Sequence, residues 1–375
     1  MLTKRIENVQ ILMNDGNFRP GSVSFGETIQ NVEVSETVCT DAKSYLIPGL
    51  IDVHTHGALG GDHTDGCPSK MQEMAKFYAK NGTTSFLATT LTATEETLSN
   101  AVKNAAAYER SNSGARCLGV HLEGPFFSYP KRGAHPADLL KLPDISMFRR
   151  LYELSGDKIK LISISPELDG AMEFIKEVSK YCRISLAHSA CDYKTAMQAF
   201  ASGATHVTHL FNGMNHFLHR EPGIIGAAMD SGAFVEVICD GYHLHPSVIR
   251  AAFRIFKKRV CLISDSLRCA GLPDGDYESA GLAVTVKSGK VMLTNEGTLA
   301  GSTITLLQGV RNAVSLGIPL EQAVSAATIN CAKTLGVFGE VGSIMPGAKA
   351  DFVLLDSELN IKKVFIGGKE VLPAL

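Results

Sequence analysis

Pro48-Gly49-Leu50-Ile51-Asp52-Val53-His54-Thr55-His56-Gly57 is a short apolar run that ends in His-x-His. In an extended strand, side chains two residues apart leave on the same face, so His54 and His56 share a face and Thr55 takes the other. Gly57 lets the chain turn sharply away from the strand end. Two imidazoles so placed can grip one ion. Taken alone they are equally well two ordinary loop histidines, and the decision between the readings comes from what surrounds them.

Outward from this stretch the chain alternates strand and helix. Strand patterns cover Leu46–His54, Thr84–Thr89, Cys117–Glu123, Lys160–Ser165, Arg183–His188, His206–Leu210, Phe234–Asp240 and Val260–Asp265. Helical periodicity lies between most of them, as in Ser69–Asn81, Glu95–Glu109, Asp169–Lys180, Tyr193–Ser202 and Pro246–Phe256. Eight strands with crossover helices predict an α/β fold, a (β/α)8 TIM barrel. An open doubly wound sheet is the alternative, disfavoured because no Gly-x-Gly-x-x-Gly follows the first strand.

The two ends read differently. Val9–Met13, Ser22–Phe25 and Val32–Val38 are short β-like runs between Gly, Asn and Asp turns, and Gly347–Asp356, Ile361–Ile366 and Glu370–Leu372 echo them at the far end. This predicts a small discontinuous β-sandwich domain. Residues 1–47 supply its N-terminal half and residues 341–375 its C-terminal half, flanking a catalytic barrel over 48–340.

Composition bounds the function. The chain has 375 residues, 45% of them hydrophobic and 20% charged, enough to bury a large core. A formal net charge of −2 offers no basic field for nucleic acid or a membrane surface. No apolar run approaches a membrane span, and the start, Met1 to Glu7, has no apolar signal-peptide core. The nine cysteines are scattered without a Cys-x-x-Cys pair, as expected of free thiols in a reducing cytoplasm.

All twelve histidines fall between His54 and His245. Several predicted strands finish in a metal-ligating residue type: the first in His54 and His56, the third in Glu123, the fifth in His188, the sixth in His209. The seventh runs into Asp240 and His243, and the eighth ends in Asp265. In a barrel these ends converge on one face, where catalytic groups sit. Four imidazoles with two carboxylates suit zinc, iron(II), manganese or cobalt, one ion per subunit or two sharing a carboxylate. Such an ion acidifies water and polarises a carbonyl. Asp265 is then placed to take the water's proton and hand it to a leaving nitrogen.

Longer segments carry a resemblance. His121-Leu122-Glu123-Gly124-Pro125-Phe126, Lys131-Arg132-Gly133-Ala134-His135, Ala187-His188-Ser189, Thr208-His209-Leu210-Phe211-Asn212-Gly213-Met214, Arg220-Glu221-Pro222-Gly223, Asp240-Gly241-Tyr242-His243, Ile263-Ser264-Asp265 and Leu299-Ala300-Gly301-Ser302, with Pro48–Gly57, resemble the N-acetylglucosamine-6-phosphate deacetylases of the amidohydrolase superfamily. The resemblance runs over essentially the whole chain. It implies metal-dependent removal of the acetyl group from N-acetyl-D-glucosamine 6-phosphate, in amino-sugar catabolism and cell-wall sugar recycling. It also implies, position by position, Glu123, His188 and His209 as ligands of a principal metal and His54 and His56 of a second, with Glu123 bridging and Asp265 close by as ligand and acid/base. His243 and His135 would bind the substrate's carbonyl or sugar, and Asn212 and Gly213 its phosphate. Arg220 would reach the phosphate across a homodimer interface.

The chain departs from that pattern at Gly213, where Ala is common, at Ser266, and at His63, which is read as structural. The fourth strand ends Ser163-Ile164-Ser165-Pro166-Glu167 without the lysine that carries a bridging carbamate in many two-metal relatives, so the bridge falls to Glu123. Alternatives are deacetylation of N-acetylgalactosamine 6-phosphate, hydrolysis of a cyclic amide, and a catalytically dead barrel kept as a binding module.

Overall fold

A computed structural model describes residues 3–35 and 44–371. At its centre are eight parallel strands: β1 (Leu50–Thr55), β2 (Thr83–Thr90), β3 (Arg116–Glu123), β4 (Ile159–Ile164), β5 (Arg183–Leu186), β6 (Ala204–Val207), β7 (Phe234–Ile238) and β8 (Val260–Ile263). Each pairs with the next in chain order, from β1 to β8. The seam between β8 and β1 is crossed just beyond the strand end, where Asp265 N–H donates to the His54 carbonyl at 3.0 Å. The result is the expected TIM-type barrel.

The helices around it follow local signals. Thr94, Asp144, Asp192 and Thr305 each cap a helix by accepting from the backbone N–H three residues on. Helices Ile145–Leu154, Gly223–Ser231, Leu306–Ser315, Leu320–Ala326 and Ile329–Leu335 complete the outer layer.

The predicted first strand, Leu46–His54, divides at Gly49. Ser44–Pro48 belongs to the sheet of the chain ends and β1 to the barrel. A Cβ on Gly49 would lie 1.9 Å from Thr84 Oγ1, so only bare backbone passes between the two sheets. The ladder between β1 and β2 also shifts register between Asp52 and Thr55, immediately before His56. Such an irregularity re-aims the side chains that follow it.

The chain ends form one seven-stranded sheet. Its spatial order is Lys369–Val371, Ile361–Ile366, Phe352–Asp356, Ser44–Pro48, Lys4–Leu12, Phe18–Phe25, Ile29–Val34. Phe25 touches Phe365 with ring centroids 5.3 Å apart, although their strands are four places apart in the sheet. On a flat sheet that separation would be about 19 Å. The sheet is therefore rolled on itself as a sandwich around Phe25, Phe352, Phe365, Ile11 and Leu46. The stretch of the predicted run Val32–Val38 beyond Ser35, and Leu372, lie outside the described residues.

One element was not anticipated. The long connection after β8 carries a three-stranded antiparallel sheet, Gly275–Ser279, Leu282–Lys287 and Lys290–Leu293, with its own small core of Leu267, Val284, Val286, Val291 and Leu293.

Arg116, at the foot of β3, binds Asp351 Oδ2 through Nε at 2.7 Å, and Asp351 also accepts from Gly367 N at 2.5 Å. Asp351 is buried while Arg116 keeps partial solvent contact. Asp351→Ala should leave the guanidinium and the Gly367 amide without their partner and cost about 3 kcal/mol, the low end for breaking a buried pair. Denaturant unfolding checks this, and a change below about 1 kcal/mol would show the pair to be dispensable, since even one net hydrogen bond is worth that much.

Candidate active site

The strand ends bring the named residues together. Glu123 closes β3, and each of its carboxylate oxygens faces a separate group of nitrogens. Oε1 lies 3.1 Å from His209 Nε2 and 3.4 Å from His188 Nε2, and those two nitrogens are 3.1 Å apart. Oε2 lies 3.2 Å from His56 Nε2 and 3.5 Å from His54 Nε2. The same two nitrogens are 3.2 and 3.3 Å from Asp265 Oδ1, and 3.1 Å from each other.

These spacings test whether an ion fits. Ligand atoms around a tetrahedral ion with bonds of about 2.0–2.1 Å sit about 3.3 Å apart. Both groups match that edge length. Glu123, His188 and His209 form one donor group, and His54, His56 and Asp265 another. Each group could hold a divalent metal ion.

The electrostatics point the same way. Burial pushes Glu123 up, but His54, His188 and His209 draw it well below the ordinary carboxylate range. Burial likewise raises Asp265, and His54 and His56 bring it below its usual value. Burial disfavours charge on His54, yet Glu123, Glu236 and Asp265 hold it well above the ordinary imidazole value. Without an ion the carboxylates favour a proton on His54, whereas burial disfavours one on His188; a bound ion would displace the proton from His54.

The second nitrogen of three of these rings is also fixed. His188 Nδ1 meets the Lys131 carbonyl at 2.9 Å, His209 Nδ1 meets the Asn212 carbonyl at 3.2 Å, and His54 Nδ1 meets Glu236 Oε2 at 2.9 Å. A ligating imidazole held in this way presents Nε2 in a fixed direction. His188, His209 and Asp265 lie just beyond their strands with φ of 46°, 26° and 49°. They are therefore turned out of the extended strand direction and toward one point.

The group opens into a cavity of about 400 Å³. His135, Asn212, Gly213 and His243 line it together with His56, Glu123, His188, His209 and Asp265. His243 is oriented by Asp240 Oδ2 at 2.7 Å from its Nδ1. His135 is buried, with Nδ1 accepting from Thr92 N at 3.3 Å and Nε2 3.6 Å from Glu123 Oε2. The Asn212 side chain turns inward to the carbonyls of His209 and Leu210. Gly213 has φ of 61°, and a Cβ there would come within 2.9 Å of His188 Nδ1, so the ring packs on bare backbone. His63 is buried away from the cavity, stacked on Phe86 and bonded to Tyr78.

Arg220 is not brought to this cavity by its own chain. It lies exposed on the segment 215–222 and makes no ion pair among the described residues, with Glu221 or any other group. Phe217 and Leu218 beside it are half exposed.

Three features were not identified from sequence. Glu236, wholly buried, joins His54 Nδ1 to His206 Nε2. Its signal was a single charge inside the apolar run Phe234-Val235-Glu236-Val237-Ile238. His121, two residues before Glu123, donates to or accepts from Ser163 Oγ at 2.8 Å. Ser279, Val284 and Leu293 of the three-stranded sheet, with Thr298–Gly301, also line the cavity.

The amidohydrolase family pattern matches residues 45–371. An N-acetylgalactosamine-6-phosphate deacetylase from Escherichia coli O157:H7 is 38% identical over 86% of this chain and 87% of its own length. An N-acetylglucosamine-6-phosphate deacetylase from Bacillus subtilis (strain 168) is 37% identical over 95% of this chain and 91% of its own. Among solved structures, a mutant N-acetyl-D-glucosamine-6-phosphate deacetylase from Mycobacterium smegmatis in complex with N-acetyl-D-glucosamine-6-phosphate superposes with a TM-score of 0.92 at 29% identity, covering 99% of this chain and 100% of that one. The corresponding enzyme from Thermotoga maritima gives 0.90 at 31% identity, with 99% and 100% coverage. No helix among the described residues is long and apolar enough to cross a membrane.

Removing a corner of the first donor group should release its ion. Glu123→Gln, His188→Ala and His209→Ala should each weaken divalent-ion binding by at least about 10²-fold, the upper end of what losing a mere supporting partner costs. Metal analysis after dialysis reads this out. Full ion retention in all three variants would reject the donor set.

Proposed function

Because this chain belongs to the amidohydrolase family, we propose that its cavity hydrolyses the acetamide of N-acetyl-D-glucosamine 6-phosphate, giving D-glucosamine 6-phosphate and acetate. The observation that carries the reading is the pair of donor groups sharing Glu123 at one end of the cavity, with Asp265 on the same edge. That arrangement suits an amide carbon, and the rest of the cavity is large enough for a sugar. The competing substrate is N-acetylgalactosamine 6-phosphate, on which the Escherichia coli relative acts by name.

Glu123, His188 and His209 would hold one divalent ion, and His54, His56 and Asp265 would hold a second where one binds. Zinc, iron(II), manganese and cobalt all suit a set of imidazoles and carboxylates without thiolate. A bound divalent ion would acidify water and polarise the substrate carbonyl. Asp265 takes the proton from the attacking water and returns it to the departing amine, which must leave protonated. His243, held by Asp240, hydrogen-bonds the amide oxygen or a sugar hydroxyl, and His135 orients the sugar beside it. The Gly213 backbone N–H, with Asn212 beside it, receives the phosphate.

In this reading residues 48–340 form the catalytic unit, and 1–47 with 341–375 form one supporting domain. The phosphate gains its strongest ligand from a second copy of the chain. A planar guanidinium grips two phosphate oxygens at once, and Arg220 stands exposed and, among the described residues, without an ion-pair partner, beside half-exposed Phe217 and Leu218. A homodimer that covers those apolar side chains delivers Arg220 into the neighbouring cavity. A phosphorylated substrate and free thiols are consistent with a cytoplasmic enzyme.

Asp265→Asn should retain the fold and lower kcat by at least about 10²-fold, the low end for a positioned acid/base. Near wild-type turnover would make Asp265 structural. Rates with both epimeric sugar phosphates and with the unphosphorylated sugar test the substrate, and absence of acetate release from either phosphate would refute the activity.

Arg220→Ala should raise KM for the sugar phosphate about tenfold or more, in line with the loss of one charge-assisted contact, and leave the unphosphorylated sugar little changed. Mixing Arg220→Ala with Asp265→Asn subunits should restore activity, because one site of each mixed dimer then has both residues. Confirmed subunit exchange with no recovery would exclude a shared site.

A further inference from the structure

Glu236 sits at the centre of a hydrogen-bonded chain that no step of the chemistry above uses. Thr334 Oγ1 is 3.0 Å from His206 Nδ1, His206 Nε2 is 3.1 Å from Glu236 Oε1, and Glu236 Oε2 is 2.9 Å from His54 Nδ1. Glu236 Oε2 also accepts from the His209 backbone N–H at 3.1 Å. Every member is buried, and Glu236, His54 and His206 have no solvent contact at all.

The proton positions along this chain follow from its ends. His54 Nε2 faces Glu123, His56 and Asp265, so as a ligand it must offer a lone pair there, and its proton sits on Nδ1 and points to Glu236. Against the push of burial, His54 and His206 hold Glu236 well below the ordinary carboxylate range, so His206 Nε2–H donates to it and His206 Nδ1 accepts from the Thr334 hydroxyl. Glu236 thus accepts three N–H donors and has no acceptor facing it, which matches an ionised carboxylate. The other donor group has no such feature. His188 and His209 each lean on a neutral backbone carbonyl.

This asymmetry has a consequence for ion occupancy. A carboxylate behind a ligating imidazole makes that ring a stronger donor and puts a negative charge one ring away from the cation. We propose that Glu236 is a positioning residue that determines whether the His54–His56–Asp265 group holds a divalent ion, while the Glu123–His188–His209 group fills without it. The proposal rests on the metal-dependent reading above. It assigns the choice between one ion and two to a residue that touches neither.

Glu236→Gln isolates the charge from the geometry. The amide oxygen can keep the contacts from His54 Nδ1 and the His209 amide, and the amide NH2 can donate to His206 Nε2 once that ring adopts its other tautomer and Nδ1–H donates to Thr334. The test is titration of metal-free protein with Co2+, followed by visible absorption and calorimetry, with thermal unfolding recorded alongside. Wild type should bind two equivalents. In Glu236→Gln the first should be unchanged and the second weakened about 10- to 100-fold, the usual cost of losing an outer partner. If Glu236→Gln does not fold, Glu236→Asp gives the same reading, because it keeps the charge but withdraws it from Nδ1 by one methylene. His206→Gln, which keeps the carboxylate and a donor to it, should retain both ions.

Two tight equivalents in the Glu236 variants would overturn the proposal, as would equal weakening of both equivalents. Wild type binding a single equivalent would overturn it too, while leaving deacetylation on the principal ion intact. Wild type binding none would instead remove the metal-dependent reading itself.

Discussion

The two oxygens of Glu123 are the constraint on which the site depends. One carboxylate at the tip of β3 must face His188 and His209 with one oxygen and His54 and His56 with the other. Those four rings come from β1, β5 and β6, so only a nearly closed barrel brings them within reach of a single side chain. An open sheet would place β1 and β6 on distant edges. The barrel in turn tolerates so many buried charges because they neutralise one another. A lone buried carboxylate would take up a proton rather than remain charged, and here each is matched by rings or by an ion.

Convergence requires backbone strain, and the strain is pinned in place. His188, His209 and Asp265 all adopt positive φ, a region that costs a non-glycine residue about 1–3 kcal/mol. Each strained residue is tied by its own peptide groups. The His188 carbonyl accepts from Ser128 N and from Ser165 Oγ. His209 N donates to Glu236, and its carbonyl accepts from Asn212 N. Asp265 N donates to the His54 carbonyl and its carbonyl accepts from Ser302 N at 2.7 Å. The last contact explains Gly301: a Cβ there would lie 2.9 Å from the Asp265 carbonyl, so the Leu299–Ser302 segment can approach only through glycine.

Much of this was legible in the sequence because the signals were local. Alternating strand and helix periodicity identified the eight strands, and ligand types recurring at their ends marked the face. What escaped depended on pairing over long distances. The division of Leu46–Pro48 from β1 is decided by Thr84 packing against Gly49, which no local pattern records. Glu236 looked like a lone charge in an apolar strand, and its meaning arises only when β7 lies beside β6 and across from β1. The three-stranded sheet after β8 was hidden because its residues follow a Gly- and Pro-rich turn that reads as loop, and its short strands pair with one another and with Leu299 just beyond them.

These differences in legibility follow a division of labour within the cavity. The ion-binding end is made of strand tips and their first turns, which are rigid and share one carboxylate, so a change at any of them disturbs all. Another part of the wall is made of Ser279, Val284 and Leu293, carried on a separate small sheet with its own core. None of these three side chains is itself a donor to the ion site. Part of the cavity's shape is thereby set away from the donor groups, since loops on a rigid scaffold vary more freely than the scaffold. The orientation of one sugar hydroxyl is a difference that such a wall can read, and the metal end need not change to read it.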